Sequence, residues 1–153
     1  MDYERFTTLI EQYTPNMYRL SYGILRSRAD AEDAVSEAVL KAWENLDRLK
    51  NPESFKAWIM QITANEARKL YRHAQRVSCA ESLEERESVS FEDERHALWD
   101  AVMKLDEGYR AVIILYFYER LSIKEIGKAL HIAEGTVKSR LSRGKRLLKE
   151  MLS

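Results

Sequence analysis

The stretch Leu121–Leu152, "LSIKEIGKALHIAEGTVKSRLSRGKRLLKEML", decides how this chain reads. Ser122 and Glu125 have the Ser-x-x-Glu spacing of a capping box, in which each side chain satisfies the other residue's backbone N–H at a helix start. Ile123, Ile126 and Leu130 then fall on one side of a short helix. His131 to Glu134 read as a tight turn, and Gly135–Glu150 as a last helix, which together make a helix-turn-helix pattern. At 100° per residue, Val137, Leu141, Leu147, Leu148 and Met151 share one side of that helix. Ser139, Ser142, Arg143 and Arg146 stand opposite, flanked by Lys138, Lys145 and Lys149.

Two readings compete for these cations. A merely solvated helix interleaves Glu with Lys at i,i+4, which gains about 0.3 kcal/mol per pair. Here no acidic residue occurs between Gly135 and Lys149, so the like charges repel one another and a polyanion would relieve the cost. The cations taken alone fit a solvated face. Behind a capped helix and a turn they fit a recognition helix in the DNA major groove. Arg contacts guanine bidentately, Ser and Thr bond base edges, and Lys holds phosphates.

The rest of the chain reads as all-α. Its 153 residues hold five glycines and two prolines, and 45% are hydrophobic. That length suits one ordinary domain or two small ones. The formal charge of zero hides a polarised layout. Residues 1–73 balance, residues 74–95 carry three Lys/Arg against seven Asp/Glu, and residues 96–153 carry eleven against seven. The spacing predicts a first helical domain over 1–73, a flexible acidic linker over 74–93 and a second helical domain over 94–153. Twenty linker residues reach roughly 70 Å when extended. In the first domain Phe6, Leu9, Ile10 and Tyr13 form one helix, and Thr14-Pro15 cap and open another. Asp30 is expected to cap a third, with an apolar stripe of Ala31, Ala34, Val35, Ala38, Val39, Ala42, Trp43 and Leu46. A fourth runs from about Ser54 to the low seventies. Asp106 is expected to cap "EGYRAVIILYFYERL" in the second domain.

Opposite the apolar stripe of the third helix stand Glu32, Asp33, Ser36, Glu37, Leu40 and Glu44. An aliphatic side chain centred on an acidic face suits a cation-rich protein partner, although single exposed leucines are also common. Other functional classes find little support. "GTVKSRLSRGK" lacks the spacing of a phosphate-binding loop, and His73, His96 and His131 have no ligand partners at metal-site spacing. No enzyme, cofactor or metal is therefore expected. Cys79, the lone cysteine, excludes an internal disulfide and suits a reducing cytoplasm. The longest apolar stretch, Ala111–Tyr118, is too short to cross a bilayer, and no secretory signal is visible. An autonomous helix-turn-helix regulator and a purely protein-binding adaptor remain as alternatives.

Three segments together resemble the extracytoplasmic-function (ECF) sigma factors of bacterial RNA polymerase. They are "YRLSYGILRSRADAEDAVSEAVLKAWENL", "FKAWIMQITANEARKLYRH" and "LSIKEIGKALHIAEGTVKSRLSRGKRLL". The resemblance implies that Asp30, Glu32, Asp33, Ser36, Glu37 and Leu40 dock on the β′ clamp of core polymerase. It assigns Asn45, Asp47 and Arg48 to a loop that captures an unstacked base of the −10 promoter element. Lys56, Gln61, Asn65, Arg68, Lys69 and Arg72 fall on the helix facing −10 DNA. Thr136, Lys138, Ser139, Arg140, Ser142, Arg143 and Arg146 fall at positions that read the −35 element. The second domain is further expected to bind the β flap, and an anti-sigma factor to mask both domains. Some positions depart from the family pattern. Ser36 replaces a usual Gln, Ala64 a common Arg, and Lys69 a frequent Asp. Ala133 replaces the Ser that caps the recognition helix, and Arg120 and His131 stand where Gly often ends the preceding helices.

Overall fold

The computed structural model describes residues 1–77 and 96–153, and among these the regular elements are all helical. Three long helices form the first half: α1 (Tyr3–Leu25), α2 (Arg28–Glu44) and α3 (Phe55–Val77). Four form the second: α4 (His96–Met103), α5 (Glu107–Ile113), α6 (Ile123–Leu130) and α7 (Glu134–Leu152). Most of the acidic connector, and Cys79 with it, lies outside the described residues.

The expected break at Thr14-Pro15 does not occur. α1 is continuous, with Asp2 capping its start and Pro15 inside it. Phe6, Ile10, Met17, Leu20 and Ile24 are all buried, and they form one stripe only if the helix runs through the proline. The Thr14 hydroxyl donates to the Ile10 carbonyl at 2.6 Å instead of capping a new helix. Tertiary burial along the stripe thus outweighs the backbone bond that Pro15 removes.

The cap of α2 is also not the expected one. The Ser27 hydroxyl accepts from the Asp30 backbone N–H at 3.2 Å, which places Asp30 inside the first turn. Ala31, Ala34, Ala38 and Ala42 are fully buried. Their small side chains bring α2 close to α1 and α3. Trp43, expected in that stripe, is 46% exposed and meets the Tyr3 ring edge-on at 5.6 Å. α3 runs past residue 73 to Val77.

In the second half, Asp106 stands at the N-cap position of α5 but makes no capping bond. "EGYRAVIILYFYERL" is not one regular helix, because α5 gives way to a π-helical turn over Ile114–Tyr118. The capping box of α6 forms as expected, at 3.1 and 2.9 Å. Arg120 and His131 both take the left-handed conformation, with φ of 61° and 58°. Arg26, which ends α1, does so too at φ 54°. Each such residue gives up about 1–2 kcal/mol that glycine would not.

The halves lie against each other, α3 on α6 and α1 on α5. The guanidinium of Arg110, 2% exposed, donates to the carbonyls of Gly23 (2.6 Å), Ile24 (2.8 Å) and Leu105 (2.7 Å). Gly23 and Ile24 belong to the last turn of α1, whose carbonyls have no partner within the helix. Arg110 therefore supplies a cationic cap from the other half, where the helix dipole favours positive charge. Glu119, with no exposure at all, accepts from Asn16 at 2.7 Å and Arg19 at 2.8 Å. Buried charges tolerate such positions only when paired in this way.

Candidate nucleic-acid interface

α7 is built from its apolar side outward. Val137, Leu141, Gly144 and Leu148 are buried, and Gly144 allows a close approach of Ile113. That seating leaves Ser139, Ser142, Arg143 and Arg146 in solvent, together with Lys138, Lys145 and Lys149. None of these five cations makes an ion pair among the described residues. Lys145 lies over the rings of Tyr116 and Phe117, at 5.8 and 5.4 Å. Two candidates stand apart from this face. Thr136 is half-buried and its carbonyl accepts from the Ser139 hydroxyl at 3.1 Å. Arg140 is half-buried with its guanidinium against Gly108. The helix begins at Glu134, and Ala133 provides no side-chain cap.

α3 carries the second set. Asn45, Arg48, Gln61, Asn65 and Lys69 line one open cleft of about 460 Å³, with Trp58 in its wall. Lys41, which also lines it, is 3.6 Å from Glu66, and that carboxylate is the main cause of its raised pKa. Lys69 reaches the same carboxylate at 3.4 Å. Arg48 and Gln61 are shared with a neighbouring cleft, where Lys50 from the loop faces Lys124 and Lys128 from α6. Lys56 is half-buried, and Asp47 and Arg72 are exposed. Ala64, at a position where an arginine is common in the family, is fully buried.

Two of the α3 candidates are engaged by residues of the second half. The amide oxygen of Asn65 is 3.0 Å from His131 Nε2. Arg68 donates to the Leu130 carbonyl at 3.1 Å and lies 3.4 Å from Glu107. Sequence reasoning missed Glu66, Glu107, Arg110 and Glu119, the buried or half-buried charges that organise these groups. A signal existed for two of them, since Arg110 and Glu119 directly flank the apolar run Ala111–Tyr118 in "RAVIILYFYE".

On α2, Glu32, Asp33, Ser36 and Glu37 are exposed around Leu40, which is 58% exposed, while Asp30 is half-buried. The acidic face with its aliphatic centre is therefore present. Trp43 and Tyr3 extend its apolar part beyond what the helical wheel suggested.

Two helical halves, one bearing a capped helix-turn-helix with a free cationic face, define a DNA-binding regulatory protein. Residues 9–77 match the family described as Sigma-70 region 2, and residues 95–148 match Sigma-70, region 4. The ECF RNA polymerase sigma factor SigW of Bacillus subtilis (strain 168) is 29% identical over 171 residues, covering 99% of this chain and 90% of SigW. RNA polymerase sigma factor SigV of the same organism is 30% identical over 150 residues, covering 95% of this chain and 90% of SigV. The fold is that of the sigma factor RpoE solved with the anti-sigma factor NepR from Bartonella quintana. The TM-score is 0.81 at 22% identity, with 97% of each chain covered. CnrH, solved with the cytosolic domain of CnrY, superposes with a TM-score of 0.70 at 24% identity over 99% of this chain and 89% of CnrH. The chain belongs to the sigma-70 family of RNA polymerase sigma factors, in its extracytoplasmic-function class. It is accordingly an alternative sigma factor that directs promoter-specific transcription. No helix among the described residues is long and apolar enough to cross a membrane.

Proposed function

We propose that this sigma factor divides promoter recognition between α3 and α7 and docks on core polymerase through α2. The observation that carries the reading is the solvent face of α7, where Ser139, Ser142, Arg143 and Arg146 stand together without an ion-pair partner among the described residues. Inserted in the major groove, this face reads the −35 element. Arg143 and Arg146 offer bidentate donors to guanine, the serines bond base edges, and Lys138 holds phosphate. The cleft over α3 takes the unpaired −10 strand. Asn45, Gln61 and Asn65 supply amide donors and acceptors, and Trp58 supplies a stacking surface. Leu40 inserts into a cationic partner surface while Glu32, Asp33 and Glu37 match its charge.

The division of labour follows residues 1–73 and 94–153, with the connector between them. The chain acts in the cytoplasm as a regulatory subunit with no catalysis of its own. The sigma factor RpoE, of the same fold and solved with the anti-sigma factor NepR, supports a masking partner of that kind here. Run-off transcription with purified core polymerase across a pool of genomic promoters tests the reading. The chain should open promoters that core polymerase alone leaves closed. Tight sequence-specific duplex binding without any stimulation of transcription would instead mark an autonomous regulator.

A further inference from the structure

Along most of their joint the two halves match each other's charges. Arg19 meets Glu119 at 2.8 Å and Arg68 meets Glu107 at 3.4 Å, while the guanidiniums of Arg26 and Arg110 end on backbone carbonyls of the opposite half. One cleft at the joint is the exception. There Arg48 and Lys50, from the segment between α2 and α3, share a lining with Lys124 and Lys128 of α6. All four are exposed, and none makes an ion pair among the described residues. Glu125 is the one acidic residue of the lining, and its carboxylate accepts from the Ser122 backbone N–H at 2.9 Å in the capping box.

Like charges gathered from both halves repel across this cleft, and no group of the chain offsets them. We propose that the cleft is a binding site for a compact polyphosphate, free or carried on a nucleoside, which bridges the two halves. The size and chemistry of the cleft fit such a ligand. Its volume of about 520 Å³ falls within the range of small-molecule sites, which favour the joints between domains. Because its cations come from two separate elements, adjacent phosphate groups can be held by both halves at once. Arg48 offers paired donors to a phosphate, and the three lysines act as point charges. The Trp58 ring and the Gln61 amide complete the wall, a surface on which a nucleobase can stack and bond.

The site differs from the −10 cleft in its cations. Lys50, Lys124 and Lys128 line the polyphosphate cleft and not the −10 cleft, whereas Arg48, Trp58 and Gln61 line both. A short ligand is favoured over promoter DNA by distance. Elements centred at −10 and −35 are about 25 base pairs apart, or roughly 85 Å at 3.4 Å per pair. A chain reading both elements therefore parts Lys50 from Lys128, and the anion that uses the two together belongs to the free chain. The inference stands apart from the −10 reading of α3, and its variants avoid the residues that the two clefts share.

Calorimetric titration of the full chain at fixed ionic strength tests the site with two probes, inorganic tripolyphosphate and ATP, both without added magnesium. Each should saturate at one molecule per chain. Lys50→Gln and Lys128→Gln, one from each half, should each weaken tripolyphosphate by about fivefold, and together by more than about tenfold. Arg76→Gln with Lys104→Gln removes the same charge from exposed positions outside the cleft, and should leave the affinity within about twofold. Circular dichroism of every variant should show unchanged helix. Tighter binding of ATP than of tripolyphosphate would support a nucleotide ligand, and equal affinity a free polyphosphate. An absence of saturable binding, or an equal loss in the Arg76/Lys104 pair, would overturn the site. A loss in only one of the two single variants would overturn the bridging of the halves. A mixed-sequence 20-nucleotide single strand that binds more tightly than either probe, and loses that affinity with Lys50→Gln and Lys128→Gln, would overturn the small ligand and give the cleft to nucleic acid.

Discussion

α3 and α7 are the two helices assigned to DNA, and the free chain holds them in opposite states. α7 presents Ser142, Arg143 and Arg146 to solvent, and they have no ion-pair partner among the described residues. On α3, Asn65, Arg68 and Lys69 are each tied into the chain, through His131, Leu130, Glu107 and Glu66. A ligand arriving at α7 displaces water and counterions. One arriving at α3 meets side chains that are already bonded within the chain. The lesson is that a residue's exposure to DNA depends on the neighbouring half as much as on its own helix.

The comparison can be broken at its anchor. Arg110→Ala leaves the Gly23, Ile24 and Leu105 carbonyls buried without their donor. Urea denaturation should register a loss of about 3 kcal/mol or more, since each unsatisfied buried acceptor costs about 1–3 kcal/mol. A loss below about 1 kcal/mol would mean that water replaces the guanidinium and that the anchor is weak.

Changes on α2 leave both DNA surfaces intact and serve as the control. Leu40→Asp places a charge at the apolar centre of the docking face and should weaken core polymerase binding by about 2 kcal/mol. Duplex binding by α7 should stay the same. Undiminished affinity for polymerase in a pull-down titration would remove α2 from the interface.

On the free surface, Arg143→Ala sharpens the contrast between reading and holding. Selectivity at one or two −35 positions should fall by about 1–3 kcal/mol, measured by competition among single-base promoter variants. Uniform weakening across all variants would reassign Arg143 to phosphate. The smallest effect belongs to the start of α7. Ala133 sits at φ −65° and ψ 150°, extended geometry that a serine cap also adopts. Ala133→Ser should stabilise the chain by about 1 kcal/mol and raise Tm by about 2–4 °C. No change in melting would show that the terminal N–H groups of α7 are adequately satisfied by water.

Local features were legible in the sequence and relational ones were not. The capping box at Ser122 and Glu125 could be read from spacing, and the family resemblance pointed to the helix ends at His131 and Arg120 and to the uncapped Ala133, all of which depend on a few neighbouring residues. The continuity of α1 through Pro15 was not legible, because it is settled by burial of Met17, Leu20 and Ile24 against other helices. Of the −35 candidates, the helical wheel correctly grouped Ser139, Ser142, Arg143 and Arg146. It could not show that Arg140 would lie against Gly108 on a different element. The engagement of Asn65 and Arg68 was hidden for the same reason. Their partners are 66 and 62 residues away, and no periodicity records such a contact.

One distance within the molecule, between α3 and α7, is the most direct to measure. With Cys79 replaced by Ser, labels at Gln75→Cys on α3 and Lys149→Cys on α7 report the separation of the halves by energy transfer. The account predicts high transfer in the free chain, falling sharply when core polymerase and an open promoter complex form around it. Transfer that is already low in the free chain, or that stays high in the promoter complex, would contradict it.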